Sequence, residues 1–255
     1  MAAYANYPSL KDRAVFVSGG GTGIGAVFVE AFARQGARVA FVDIAEAPSK
    51  ALADRLAGEG LHRPHFQRCD VTDSDAYARA IERAAAETGP IRALLNNAAR
   101  DDRHRLEDVT PEYWDKCLGV NLKHQFFAVQ AVAPIMEKAG GGSVINMGSI
   151  SWMRGRDIFI GYATSKSAIN GMTRCLAREL GPRNIRVNCL VPGAIVTERQ
   201  TQLWRDPEAD KQFLEAQCLK YRLDPGHCAR MALFLAADDS DGCSGQNFIV
   251  DGGLV

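Results

Sequence analysis

Tyr162 and Lys166 stand four residues apart in the stretch GYATSKSAING, residues 161–171. Four residues is about one helical turn, so a helix there puts the phenol and the ammonium on one face. A phenol titrates near pH ~10 and is a poor base at neutral pH. A neighbouring cation lowers that value and lets the phenol move a proton. The same spacing also occurs on ordinary helix surface, so the pair alone does not decide. Ser149 lies thirteen residues before Tyr162 and ends a β-rich run. Asn121 falls inside a long helical pattern. An asparagine there is a mildly poor helix former: it is either a plain surface residue or a point where the ladder opens to hold a water.

A second group of residues suits a phosphate-bearing ligand. SGGGTGIG, residues 18–25, follows an apolar run and opens a helical pattern. Gly19, Gly23 and Gly25, with Thr22 and Ile24 between them, lie where a tight turn needs no Cβ and a pyrophosphate needs close backbone approach. Asp43 comes eighteen residues after Gly25, followed by Ile44. A carboxylate there accepts both ribose hydroxyls of an adenosine and repels a 2′-phosphate, and the glycine loop holds no arginine. The expected cofactor is therefore NAD, not NADP. Asp70 and Val71 fall at the adenine edge, and Asn97 and Ala98 beneath the cofactor. Taken singly, each is equally an ordinary turn residue at a strand end.

The elements that must hold these groups alternate. RAVFVS (13–18), ARVAFVD (37–43), HFQRCDV (65–71), RALLNNA (92–98), SVINMGS (143–149), IRVNCLVPG (185–193) and NFIVDGG (247–253) read as seven strands. Longer helical patterns separate them. GAVFVEAFARQG ends at Gly36, and TDSDAYARAIERAAAETG (72–89) opens with Thr72 as N-cap. Residues 110–141 read as one long helix, and 195–224 as the least regular stretch. The pattern predicts one α/β domain over 1–255: a doubly wound (Rossmann) parallel sheet of about seven strands with helices on both faces. Ligands bind such sheets at the carboxyl ends of the strands.

With these motifs in order, the sequence resembles the short-chain dehydrogenase/reductase family over nearly its whole length. The resemblance rests on the glycine motif, NNAA at 96–99, Asn121, Ser149, YATSK at 162–166 and PGAIVT at 192–197. Ala99 departs from it, since the family usually has glycine there. The resemblance implies that Tyr162 is the acid/base and that Ser149 hydrogen-bonds the reacting oxygen. It implies that Lys166 lowers the pKa of Tyr162 and binds the nicotinamide ribose, and that Asn121 holds a relay water. Pro192, Gly193, Ile195 and Thr197 would meet the nicotinamide side of NAD.

The loops after the strands bear on the substrate. RDDRHR (100–105) and SISWMRGRD (149–157) are unusually polar, and EAQCLKYR (215–222) closes the irregular stretch. Asp101, Asp102, Arg103, His104, Ser151 and Arg154 offer donors and acceptors, and Trp152 offers a flat face. That set suits a sugar better than an acyl tail or a steroid, although each residue taken singly is equally a solvated loop residue. YPSLK, DDRH, GSISW, RELGP and AQCLK resemble the bacterial D-xylose 1-dehydrogenases of this family and related aldose 1-dehydrogenases. That resemblance implies oxidation of the anomeric hydroxyl of a cyclic pentose or hexose to a lactone, with Asp101, Asp102, Arg103, Ser149, Ser151, Trp152 and Tyr162 around the sugar. Another polar alcohol or keto substrate, such as a sugar acid, polyol or 3-oxoacyl group, remains the alternative. A nucleotide-binding scaffold without turnover would be expected to lack Tyr162, Lys166 or Ser149.

Bulk properties narrow the partners. The 255 residues are 47% hydrophobic and 24% charged with a formal net charge of +0. Nothing there favours nucleic acid or an anionic membrane. No apolar run approaches a membrane span, and MAAYANYPSLKDR does not read as a secretory signal. Seven scattered cysteines without a CxxC suggest a reducing cytosol and no disulfide framework or zinc site. No His and carboxylate spacing suggests a metal. By family resemblance the protein is expected to form a homotetramer.

Overall fold

Ala14–Val17 is an unbroken apolar run, and every residue of the strand it forms with Ser18, β1 (Ala14–Ser18), is buried, so β1 must be covered on both faces. The computed structural model, which describes residues 4–155, 157–198, 201 and 207–255, shows how. Strands β2 (Arg38–Asp43), β3 (His65–Arg68), β4 (Ile91–Asn96), β5 (Gly142–Met147), β6 (Ile185–Pro192) and β7 (Asn247–Val250) join β1 in one seven-stranded sheet, ordered β3-β2-β1-β4-β5-β6-β7. All six pairings are parallel. Alternate residues of β1 feed opposite faces. Val15 and Val17 join Phe28 and Phe32 on one side, while Phe16 joins Tyr77, Leu94 and Val129 on the other.

The crossovers supply those covers. Helices α1 (Gly23–Arg34) and α2 (Glu46–Gly58) contribute to the first face. α3 (Ser74–Thr88), α5 (His124–Lys138) and α6 (Ile160–Leu180) contribute to the second. α8 (Pro225–Ala236) returns to the first face. Among the described residues no helix is long and apolar enough to cross a membrane.

Three local readings change. The N-cap of α3 is Asp73, not Thr72, because the Asp73 carboxylate accepts the Ala76 N–H at 2.9 Å. Thr72 instead gives its hydroxyl and N–H to Asp70 at 2.8 and 2.9 Å. The long helix of 110–141 is three pieces: α4 (Pro111–Leu118), a π-helical turn at Gly119–Lys123, and α5. The stretch 195–224 contains a helix, α7 (Pro207–Ala216). The order of strands leaves a crevice at the carboxyl ends of β1 and β4, where the direction of progression along the sheet reverses.

Candidate active site

The glycine turn after β1 has no room for a Cβ at Gly19 or Gly25. Gly19 adopts φ +65°, and a Cβ there would lie 2.8 Å from the Ala98 Cα. A Cβ on Gly25 would overlap the Gly19 carbonyl oxygen. Asn97 clips the turn to the end of β4, donating from Nδ2 to the Ser18 and Gly19 carbonyls at 3.0 and 2.9 Å. The Ser18 hydroxyl accepts the Asn97 and Ala98 N–H groups at 3.0 and 3.1 Å. Gly23 starts α1 at φ +56°, with open space where a Cβ would stand. Thr22 at the N-cap makes no side-chain cap bond. The first amides of α1 are thus accessible to a phosphate, so the protein's own geometry fits a dinucleotide.

Asp43 ends β2 and faces the same turn. One carboxylate oxygen accepts the Gly21 N–H at 2.8 Å and the other the Ala45 N–H at 2.8 Å. Each oxygen keeps a second lone pair for a ribose hydroxyl. Ile44 beside it is exposed, Val71 is buried, and Asp70 is engaged by Thr72. The Ala98 carbonyl pairs with His124 Nε2 at 2.9 Å. Complete burial holds the His124 imidazole down to about 3, hence neutral.

Beside the turn lies a cavity of ≈ 850 Å³. Its lining includes Ile24, Asn97, Pro192, Gly193, Ile195 and Thr197. Ser149, Tyr162 and Lys166 belong to the same wall, as do Asp101, Arg103 and Ser151. The wall differs from expectation at two places. Asp102 is absent from it, because its carboxylate lies 3.1 Å from Arg100 Nε and its carbonyl takes the Tyr113 hydroxyl. Trp152 sits in the turn after β5, 37% exposed, and is also outside the wall. Sequence reasoning did not name Phe159, Val196, Gln212 or Phe213, which do line it. Arg154 and Arg222, from stretches expected near the pocket, flank the Phe213 ring at 5.1 and 5.3 Å. The proline that opens PEADKQFLEA was a legible helix start for the element carrying Phe213.

The catalytic group assembles around α6. Its first turn carries Tyr162, half-buried, with the Ser149 side chain beside its phenol. Ser149 Oγ accepts the Ser151 N–H at 3.1 Å. One turn on, Lys166 is 1% exposed, donates from Nζ to the Met147 carbonyl at 2.8 Å, and lies 5.5 Å from the Tyr162 ring centre. The protein's own packing raises the Tyr162 pKa, so any lowering has to come from bound groups. Burial pushes the phenol up, the Asp101 carboxylate adds to that, and the Ser149 hydrogen bond opposes it. Burial also draws the Lys166 ammonium down to about 8, so at neutral pH the cation is present and at alkaline pH it fades.

Asn121 lies in the π-helical turn, fully buried, outside the cavity wall. Its amide is committed to the backbone after β4: Oδ1 accepts the Arg100 N–H at 2.9 Å and Nδ2 donates to the Arg100 carbonyl at 3.0 Å. It therefore secures the loop that carries Asp101 and Arg103.

Known proteins resemble this one along its length. A family model described as enoyl-(acyl carrier protein) reductase matches residues 19–255. The D-xylose 1-dehydrogenase of Caulobacter vibrioides is 51% identical over 98% of both sequences. A protein of Rhizobium meliloti described as a probable galactose dehydrogenase is 50% identical, again over 98% of both. Among solved structures, a 7α-hydroxysteroid dehydrogenase complexed with NADH and 7-oxo glycochenodeoxycholic acid superposes with a TM-score of 0.91 at 29% identity, over 96% of each protein. The glycine turn, the Ser149–Tyr162–Lys166 group at the carboxyl edge of the sheet and these full-length matches together make the protein a member of the short-chain dehydrogenase/reductase family.

Proposed function

We propose that the protein oxidises the C1 hydroxyl of a cyclic aldose to the lactone with NAD. The observation that carries this is the meeting of Ser149 and Tyr162 with the polar side chains of Asp101, Arg103 and Ser151 in the lining of one cavity. The likeness to relatives named for D-xylose and galactose supports it. Deprotonated Tyr162 takes the C1 hydroxyl proton. Ser149 holds the same oxygen by a hydrogen bond, keeping C1 oriented. The Lys166 ammonium favours the phenolate against the cost of burial. NAD, when bound, would supply the hydride acceptor: C1 gives up hydride, its hydroxyl gives up the proton, and the product is the lactone. Asp43 selects NAD over NADP by repelling a 2′-phosphate. The reading includes a cytosolic homotetramer; sedimentation of the purified protein checks the tetramer and cell fractionation the location.

The test is the initial rate of NADH formation with D-xylose, L-arabinose, D-galactose, L-fucose and D-glucose. Turnover of one or two of these supports the reading and ranks the hydroxyls that the wall recognises. No turnover of any, with NADH still bound, transfers the assignment to another polar alcohol or keto substrate.

A further inference from the structure

The start of α6 is an unusual piece of backbone. Ile158, a β-branched residue, adopts φ +57°, in the left-handed region such residues avoid. Phe159, the N-cap of α6, provides no side-chain cap. The amide of Gly161, in the first turn, therefore needs an acceptor from elsewhere. His104 is that acceptor, its Nε2 taking the Gly161 N–H at 3.3 Å. The same residue donates its own backbone N–H to the Ile158 carbonyl at 3.0 Å. One residue, from the loop after β4, thus holds the backbone on both sides of the N-cap, with Tyr162 next in sequence to Gly161.

The packing leaves His104 in place. It is 9% exposed, and its ring stands edge-on to Tyr113 of α4 at 5.1 Å. Nδ1 lies 3.4 Å from the Arg105 carbonyl, which suits a neutral ring with its proton on Nδ1 and Nε2 free to accept. Gly161 is closed in from the same side: a Cβ there would stand 3.0 Å from Cys117 Sγ and 3.7 Å from His104 Nε2. Neither His104 nor Gly161 lines the cavity.

We infer that His104 is a positioning residue for proton transfer: by capping α6 from outside the helix it fixes the height and direction of the Tyr162 phenol against Ser149. The inference rests on Tyr162 being the proton-transfer group. Without the cap, the Gly161 amide loses its acceptor and the first turn of α6 can fray, so the phenol loses its aim without losing its chemistry.

Two substitutions separate the cap from mere packing. His104→Phe keeps a flat ring against Tyr113 and removes the acceptor. His104→Gln keeps an acceptor and gives up the ring. The readouts are kcat and KM on an aldose that the native enzyme oxidises, and hydrogen exchange of the Gly161 to Ala163 amides. His104→Phe is expected to lower kcat ~10- to 100-fold, leave the KM for NAD within about twofold, and speed exchange at Gly161. His104→Gln is expected to recover most of kcat and of the protection. Native-like kcat in His104→Phe overturns the inference, as does an equal loss in both variants, which would make the ring's packing the whole role. If the native enzyme oxidises no aldose, the substrate reading fails by itself. The exchange data then judge the cap alone, and unchanged Gly161 protection in His104→Phe refutes it.

Discussion

Lys166 reaches past Tyr162: its ammonium donates to the Met147 carbonyl at 2.8 Å and holds the phenol ring centre at 5.5 Å. The helix spacing brings the two together, and the end of β5 decides where the cation points. Replacing Tyr162 with Phe removes the proton acceptor and leaves the ring. Turnover should fall at least ~10³-fold, while NADH binding, followed by nucleotide fluorescence, stays within a few-fold. Substantial activity in Tyr162→Phe would remove the phenol from the mechanism.

Lys166 also gives a stability prediction with a definite sign. Its folded value of about 8 lies below the ordinary 10.5, so the unfolded state holds more protons between those limits. Stability contributed by this group therefore rises as pH climbs from about 8 towards 10.5, and below 8 the buried charge costs roughly 3 kcal/mol. Lys166→Met should abolish turnover, yet its Tm relative to the native protein should be most favourable near pH 7 and less so near pH 10. The gap is smaller than the full charge cost, because Met147 loses its donor. A Tm difference independent of pH would contradict the lowered lysine.

Asp101 acts on the same phenol. Its carboxylate is the second cause, after burial, that keeps the Tyr162 proton on. Asp101→Asn removes a negative neighbour, which favours the phenolate and lowers the phenol's pKa. The rising limb of the kcat profile for alcohol oxidation should therefore move to lower pH, whatever happens to KM. A limb that stays where it was would separate Asp101 from the proton-transfer step.

Asp43 is tested by cofactor choice. Asp43→Ala removes the charge-assisted hydrogen bonds from the Gly21 and Ala45 amides as well as the ribose acceptor. The KM for NAD should rise ~10-fold or more and that for NADP far less. Equal effects on the two would reduce Asp43 to a loop support.

Gly25 tests the turn itself. A methyl group there meets the Gly19 carbonyl oxygen, which is rigid backbone. Gly25→Ala should weaken NADH binding more than ~10-fold and lower Tm by several degrees, as local strain of a few kcal/mol would. Unimpaired binding would show that the turn can open at little cost.

Much of this was legible because the signals are local. The run from Ala14 to Ser18, the alternation of strands with helices, and the ordered glycines, Asp43, Ser149, Tyr162 and Lys166 each declare themselves within a few residues. What was not legible depends on distance. Nothing near Asn121 shows that its amide will tie down Arg100, twenty-one residues away in sequence. The polar run RDDRHR gives no sign that Asp101 and Arg103 face the cavity while Asp102 turns to Arg100. Trp152 reads as a sugar plate by type, but the turn after β5 presents it to solvent. Spacing reveals the cation beside Tyr162, whereas the burial that raises the phenol comes from the packed whole.

The pairing of β1 with β4 has a consequence for how the molecule is made. Val15 and Phe16 find their partners in Ala93 and Leu94, beyond both intervening crossovers. A nascent polypeptide that has emerged only as far as α3 holds the whole glycine turn and Asp43 but leaves one margin of β1 unbonded. Such a half-sheet is prone to pair with a foreign strand. Closure of this long loop is a slow, late step of the kind that raises contact order. A ribosomal pause between the codons for α3 and β4 should therefore increase aggregation during synthesis, while refolding of the complete protein is unaffected by codon choice.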